Sequence, residues 1–207
     1  MKKYLLFILG IVPTVVHAQE SQIAKSDSSW KFSVWADMFI IPGEEDYFNP
    51  TFYARYKSLH LEGRYNYEDR NTASLWAGKR FQFGEQVEFV FVPMAAILVG
   101  NTNGVAPGFE TEVAYKKLDF YGESEYVFDF ESKEGNFFYM YSEMAITPLP
   151  PMRTGLTAQR TRLFKTKRDV QRGLFAEYYF GRCRAGIFAF NPFNSDNYWI
   201  ASFSVDF

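Results

Sequence analysis

The chain has two histidines, His17 and His60, and only His60 lies beyond an apolar leader at the start. A serine hydroxyl is a poor nucleophile without an adjacent base, so serine-type hydrolysis would rest on His60 alone. No Gly-x-Ser-x-Gly turn accompanies it. His60 sits beside a tight turn, Lys57-Ser58-Leu59, and reads as a polar interior residue rather than a base. Carboxylates are abundant, so no aspartic-type pair stands out among them. The run Glu44-Glu45-Asp46 offers oxygen ligands of the kind that hold Ca²⁺ weakly, but it reads as a solvated loop. Cys183 is the single cysteine; it can form no internal disulfide and reads as a small apolar residue. No catalytic residue, metal site or cofactor is expected, and a barrel enzyme hydrolysing lipid or peptide is the lesser alternative.

The charged residues gain meaning from the elements that carry them. Lys2 and Lys3 precede an apolar run over residues 4–16, followed by Val16-His17-Ala18. This is the pattern of a signal peptide over residues 1–18, and its apolar core of about a dozen residues is too short for a spanning helix. Residues 19–29 read as a polar periplasmic leader and 30–207 as the folded unit. Loss of Lys2 and Lys3 takes the net charge from −2 to about −4, which gives no basic excess to attract nucleic acid.

Aromatic residues make up 20% of the chain, yet mean hydropathy is −0.23. That combination fits strands with one greasy and one polar face. In the last ten residues Trp199, Ala201, Phe203, Val205 and Phe207 alternate with Tyr198, Ile200, Ser202, Ser204 and Asp206. Similar segments recur near 30–40, 51–58, 59–68, 73–83, 87–99, 108–117, 118–129, 136–146, 153–164, 170–180 and 182–190. Tight turns alternate with longer polar loops between them. The expectation is an all-β, closed, antiparallel up-and-down transmembrane barrel of 12 strands, or 10 if two short segments fail to pair. Both ends would lie on the short-turn, periplasmic side. Pro93 is the weak point, since it removes a ladder donor.

A lipid-facing Arg or Lys at mid-membrane costs about 2–4 kcal/mol, so alternation assigns faces. The lumen is expected to receive an acidic wall of Glu88, Glu110, Glu112, Asp119, Glu123, Glu125, Asp129 and Glu143. The basic residues Lys31, Arg55, Lys57, Arg64, Arg80, Arg160, Arg162 and Arg184 would also point inward, mixed with Asp37, Glu62, Glu68, Glu177 and Asp206. Strand 153–164 reads either way by alternation, and Arg160 and Arg162 are placed inside as counter-charges. Tyr65 and Tyr67 are expected to face lipid, and Tyr65, Tyr126, Phe128, Phe138 and Trp199 to form interface girdles.

With its leader, its amphipathic segments and its terminal Phe207, the chain resembles the small outer-membrane β-barrel proteins of Gram-negative bacteria. Residues 76–110, with Gly100-Asn101-Thr102-Asn103-Gly104 and Ala106-Pro107-Gly108 read as a loop, are similar to an uncharacterised barrel family of the Bacteroidota type. The resemblance implies a bacterial outer-membrane location among lipid and lipopolysaccharide. It also implies insertion by the barrel-assembly machinery, which reads the C-terminal strand. Two readings of the lumen follow. Opposed charged walls that stay apart would leave a wet channel for a small polar solute. Walls that meet would form a salt-bridged plug, giving a closed structural or interaction barrel.

Overall fold

A computed structural model describes residues 29–160 and 170–207. The expected signal peptide, nearly all of the expected leader, Arg162 and the loop at 165–169 lie outside the described residues.

Period-2 patterning with β-branched and aromatic residues produces thirteen strands among the described residues. They are β1 (Trp30–Ile40), β2 (Tyr47–Tyr56), β3 (Leu59–Tyr65), β4 (Thr72–Lys79), β5 (Phe81–Phe83), β6 (Glu88–Gly100) and β7 (Gly104–Tyr115). There follow β8 (Leu118–Asp129), β9 (Phe137–Ile146), β10 (Met152–Arg160), β11 (Gln171–Phe180), β12 (Cys183–Phe190) and β13 (Tyr198–Asp206). Apart from β4 and β5, each pairs antiparallel with its chain neighbour; β1 pairs with β13, β4 pairs with β6, and the sheet closes on itself. β4 and β5 occupy one wall position, because both pair with β6 in a single register. The wall therefore has twelve positions, which excludes the ten-strand alternative. The break between β4 and β5 falls opposite Val92 and Pro93, where proline has no N–H to give to a ladder.

Two strands, β2 and β7, begin four residues before their expected starts. β2 carries Pro50 in register with Ala36. The expected loop around Ala106-Pro107-Gly108 is strand, and only residues 101–103 separate β6 from β7. Pro107 pairs with Ala95 of β6 while the β7–β8 register skips positions 106 and 107, so the missing N–H lies on the β8 side. Short turns, such as Lys57-Ser58 and Lys116-Lys117, gather at one end together with Trp30 and Phe207. Lys57 and Lys116 take left-handed φ values of 54° and 56°, the conformation that lets two residues reverse the chain. The longer loops gather at the other end.

The exterior is apolar. Leu75, Ile97, Leu156 and Ile187 are each more than half exposed around the middle of the wall. So large an apolar belt is stable only against lipid, and it is rimmed by aromatic residues. Tyr65, Tyr126, Phe128, Phe138 and Trp199 sit at the long-loop ends of their strands. Trp30, Tyr56, Phe83, Phe180 and Phe203 sit at the other rim, with Trp30 stacked on Tyr56 at 5.2 Å. The Phe207 N–H donates to the Phe32 carbonyl oxygen at 2.9 Å, which continues the seam between the two ends of the chain. The one cysteine, Cys183, is half-buried on the outer face.

Candidate functional site

Twelve wall positions leave a lumen wider than the eight-strand barrel that wall side chains just fill. Long Arg, Glu and aromatic side chains cross that extra width here. On β3, alternation points His60, Glu62 and Arg64 inward. Arg64 reaches from β3 to β8, where its guanidinium donates to Glu123 at 2.5 Å and Glu125 at 3.3 Å. On its own strand it donates through Nε to Glu62 at 2.6 Å, and Glu68 lies 3.5 Å away. Its plane lies over the rings of Tyr67 and Trp76, with centroids at 4.4 and 4.8 Å. Arg64, Glu62, Glu68, Glu123 and Glu125 are all at most 3% exposed.

Phenols and an indole complete this cluster. The Tyr67 hydroxyl donates to Glu123 at 2.7 Å, and the Tyr121 hydroxyl to Glu110 at 2.7 Å. Ser74 and Trp76 both donate to Glu68. His60 bonds Glu62 through Nε2. The lipid-facing placement of Tyr67 expected from alternation is corrected. Asn66 adopts a left-handed φ of 60° just past β3, which ends the alternation and turns Tyr67 and Glu68 into the lumen from a loop.

A second cluster centres on Arg153 of β10. It donates to Asp119 at 2.5 Å, Glu143 at 2.6 Å and Glu177 at 2.7 Å. Glu177 lies 3.3 Å from Arg184, whose guanidinium covers Trp35 at 3.8 Å. The expectation that Arg160 points inward on this strand is corrected: Arg153 does so instead. Gln159 shares the inward face with Arg153, so Arg160, of opposite parity, points outward over Phe138 near the rim. Arg162 lies outside the described residues.

The other expected residues divide by depth. Glu112 and Arg80 pair at 2.9 Å, with Glu112 well exposed at the short-turn mouth. Arg55 and Glu88 are half-buried near the same end, and Lys31 is exposed there in register with Arg55. Lys57 is not in the lumen; it forms the turn and lies over Tyr56 at 5.3 Å. Asp129 stands apart from both clusters and accepts from the Glu131 N–H in the 130–136 loop. Glu110, Glu123 and Glu125 converge on the Arg64 side, while Asp119 and Glu143 converge on Arg153.

Towards the long loops the interior becomes apolar. One core holds Trp76, Met94, Ala96, Leu98, Ala106 and Val127. A second brings Phe39 and Tyr47 against Phe175, Phe188, Phe190 and Tyr198, with Phe190 and Tyr198 stacked at 4.8 Å. The Arg64 cluster thus joins β3 to β8 across the lumen, while the aromatic rings above stack between neighbouring strands, Phe39 on Tyr47, Phe175 on Phe188 and Phe190 on Tyr198. Among the described residues His60 bonds a carboxylate, Glu62, and no serine or cysteine side chain shares a hydrogen bond with it.

No protein-family model and no curated protein matches this chain. In fold it is similar to the KdgM porin, with TM-score 0.64 and 12% identity over 84% of this chain and 99% of that one. A structure described as "KdgM porin in complex with disordered oligogalacturonate" matches with TM-score 0.63 at the same identity and coverage. A third structure, described under "Unveiling the Mechanism Behind the in-meso Crystallization of Membrane Proteins", gives 0.52 at 14% identity, covering 84% and 83%. At these identities the likeness is one of architecture.

Proposed function

We propose that this chain is a bacterial outer-membrane barrel that admits small polar solutes through a lumen held shut at rest by the Arg64 cluster. The observation that carries this reading is the span of Arg64 from β3 to Glu123 and Glu125 on β8, buried along its length. A septum of charge pairs can rearrange, whereas an apolar plug of the same width would have to unpack. The shared architecture with a structure called a porin supports the channel reading. The apolar belt and aromatic rims support a membrane location, and with it contact to outer-membrane lipid and lipopolysaccharide. The amphipathic strand ending at Phe207 is the segment on which the barrel-assembly machinery would act. No catalytic role is assigned to any residue.

The excess of carboxylates bears on the solute. Acidic groups lining a constriction repel polyanions, so the passing solute is neutral or cationic. This separates the chain from its structural neighbour, which is described in complex with oligogalacturonate.

Planar-bilayer recording of the purified protein tests the proposal. Wild type is expected to open briefly and seldom, and Arg64→Ala to open more often and conduct more. A steady large current in wild type would overturn the septum. Silence in both proteins would overturn the channel and leave the second reading, a closed structural or interaction barrel. The Arg153 cluster and the aromatic packing above it favour that second reading.

A further inference from the structure

The Arg64 cluster is unbalanced in charge. Five buried carboxylates, Glu62, Glu68, Glu110, Glu123 and Glu125, surround one guanidinium and one imidazole. Among the described residues no second Arg or Lys comes within ion-pair distance of these five. One oxygen of Glu68 and one of Glu125 are buried without any hydrogen-bond partner. Uncompensated buried charge is expensive, so this pocket calls for more positive charge than the side chains supply.

The geometry says where that charge would sit. His60, Glu62 and Glu110 each offer one ligand atom, and those three atoms lie within 4.8 Å of one another. Ligands about 2.0–2.2 Å from a shared ion lie at most about 4.4 Å apart, and His60 Nε2 meets that limit with both partners, touching Glu62 and lying 3.7 Å from Glu110. Both carboxylates are held from behind. Arg64 grips one oxygen of Glu62 at 2.6 Å, leaving the other facing His60. The Tyr121 hydroxyl grips one oxygen of Glu110 at 2.7 Å, leaving the other 3.7 Å from His60 Nε2. Outer donors that fix each ligand and aim its free atom inward are the supporting shell of a metal site.

We infer that His60, Glu62 and Glu110 form a buried site for a first-row divalent cation of the Zn²⁺ class. One imidazole nitrogen and two carboxylate oxygens make a borderline donor set, which favours Zn²⁺ over the all-oxygen coordination that Mg²⁺ and Ca²⁺ prefer. The ion supplies two positive charges where the carboxylates outnumber their partners. Its approach is from the short-turn mouth, because His60 is one residue from the start of β3 and two from the Lys57-Ser58 turn. The site stands whether or not the barrel conducts.

The test is calorimetric titration with Zn²⁺ of the full-length protein, extracted in detergent and stripped with chelator, with bound zinc counted by mass spectrometry. One equivalent is expected to bind, with Mg²⁺ failing to compete at equal concentration. Glu110→Gln and His60→Ala should each weaken binding at least about tenfold, the usual effect of disturbing such a site. Glu110→Gln is nearly isosteric, so it decides the matter if His60→Ala fails to fold. Folding is read separately, from heat-modifiable gel migration. Glu112→Gln, at the exposed mouth, should leave affinity unchanged. No zinc uptake by wild type, or equal uptake by Glu110→Gln and wild type, would overturn the inference and leave protons to neutralise the carboxylates.

Discussion

Replacing Arg64 by Met removes the guanidinium while keeping a side chain of comparable length. Glu62, Glu123 and Glu125 then lose their one strong cation, and none of them is more than 2% exposed. Breaking a buried ion pair by deleting one partner costs about 3–5 kcal/mol, chiefly because the other charge is left uncompensated. The rings of Tyr67 and Trp76 lose a cation contact worth about 0.5–2 kcal/mol. Met partly recovers that contact by packing, so the expected loss stays about 3–5 kcal/mol. The assay is urea unfolding in phospholipid vesicles, followed by the fluorescence of four tryptophans, of which Trp76 lies against the lost side chain. The double variant Arg64→Met, Glu123→Gln should recover at least about 1 kcal/mol, the coupling expected of residues in one network. A loss below about 1 kcal/mol in Arg64→Met would refute the reasoning. So would a double variant whose loss is the plain sum of the two singles.

Two glycines on the wall should respond differently to the same methyl group. A Cβ at Gly155 would lie 2.0 Å from the Met144 carbonyl oxygen, so Gly155→Ala should cost about 1–3 kcal/mol in the same urea assay. Nothing lies within 4 Å of a Cβ at Gly63, which borders a lipid-facing groove with Phe52 and Leu75, so Gly63→Ala should be neutral within about 0.5 kcal/mol. The Arg70–Glu44 pair at 3.2 Å is solvent-exposed, and Glu44→Ala should change stability by less than about 1 kcal/mol, with no dependence on bilayer composition.

What is legible in the sequence is what a two-residue period can carry. Alternation gives the inward parity of β8, including Asp119, Glu123, Glu125 and Asp129, because a one-residue slip would expose four acids to lipid. It fails where the backbone leaves the period. Asn66, in the left-handed region, turns Tyr67 inward, and no count of alternating residues anticipates that. It also fails where both parities carry a charge. On β10 Arg153 and Arg160 compete for the interior, and the deciding fact is that Asp119, Glu143 and Glu177 surround only the first. Pairings between strands distant in sequence are invisible to periodicity, so Glu110 as a neighbour of His60 carries no signal at a separation of 50 residues.

The width of the barrel explains why its centre is ionic. A wall of twelve positions is too wide for Val or Leu from opposite sides to touch, and only long side chains bridge it. Arginine is the one cation with a fork broad enough to serve several carboxylates at once, and Arg64 and Arg153 each serve at least three. Five acids around Arg64 exceed what one fork can neutralise. A closed lumen built this way is therefore held by a cluster whose stability depends on a further cation or on protons. A barrel held shut by charge responds to the ions that enter it, which an apolar plug of equal width would not do. The proposed septum and the inferred cation site would thus both follow from one mismatch, between the circumference that twelve strands enforce and the reach of the side chains that must fill it.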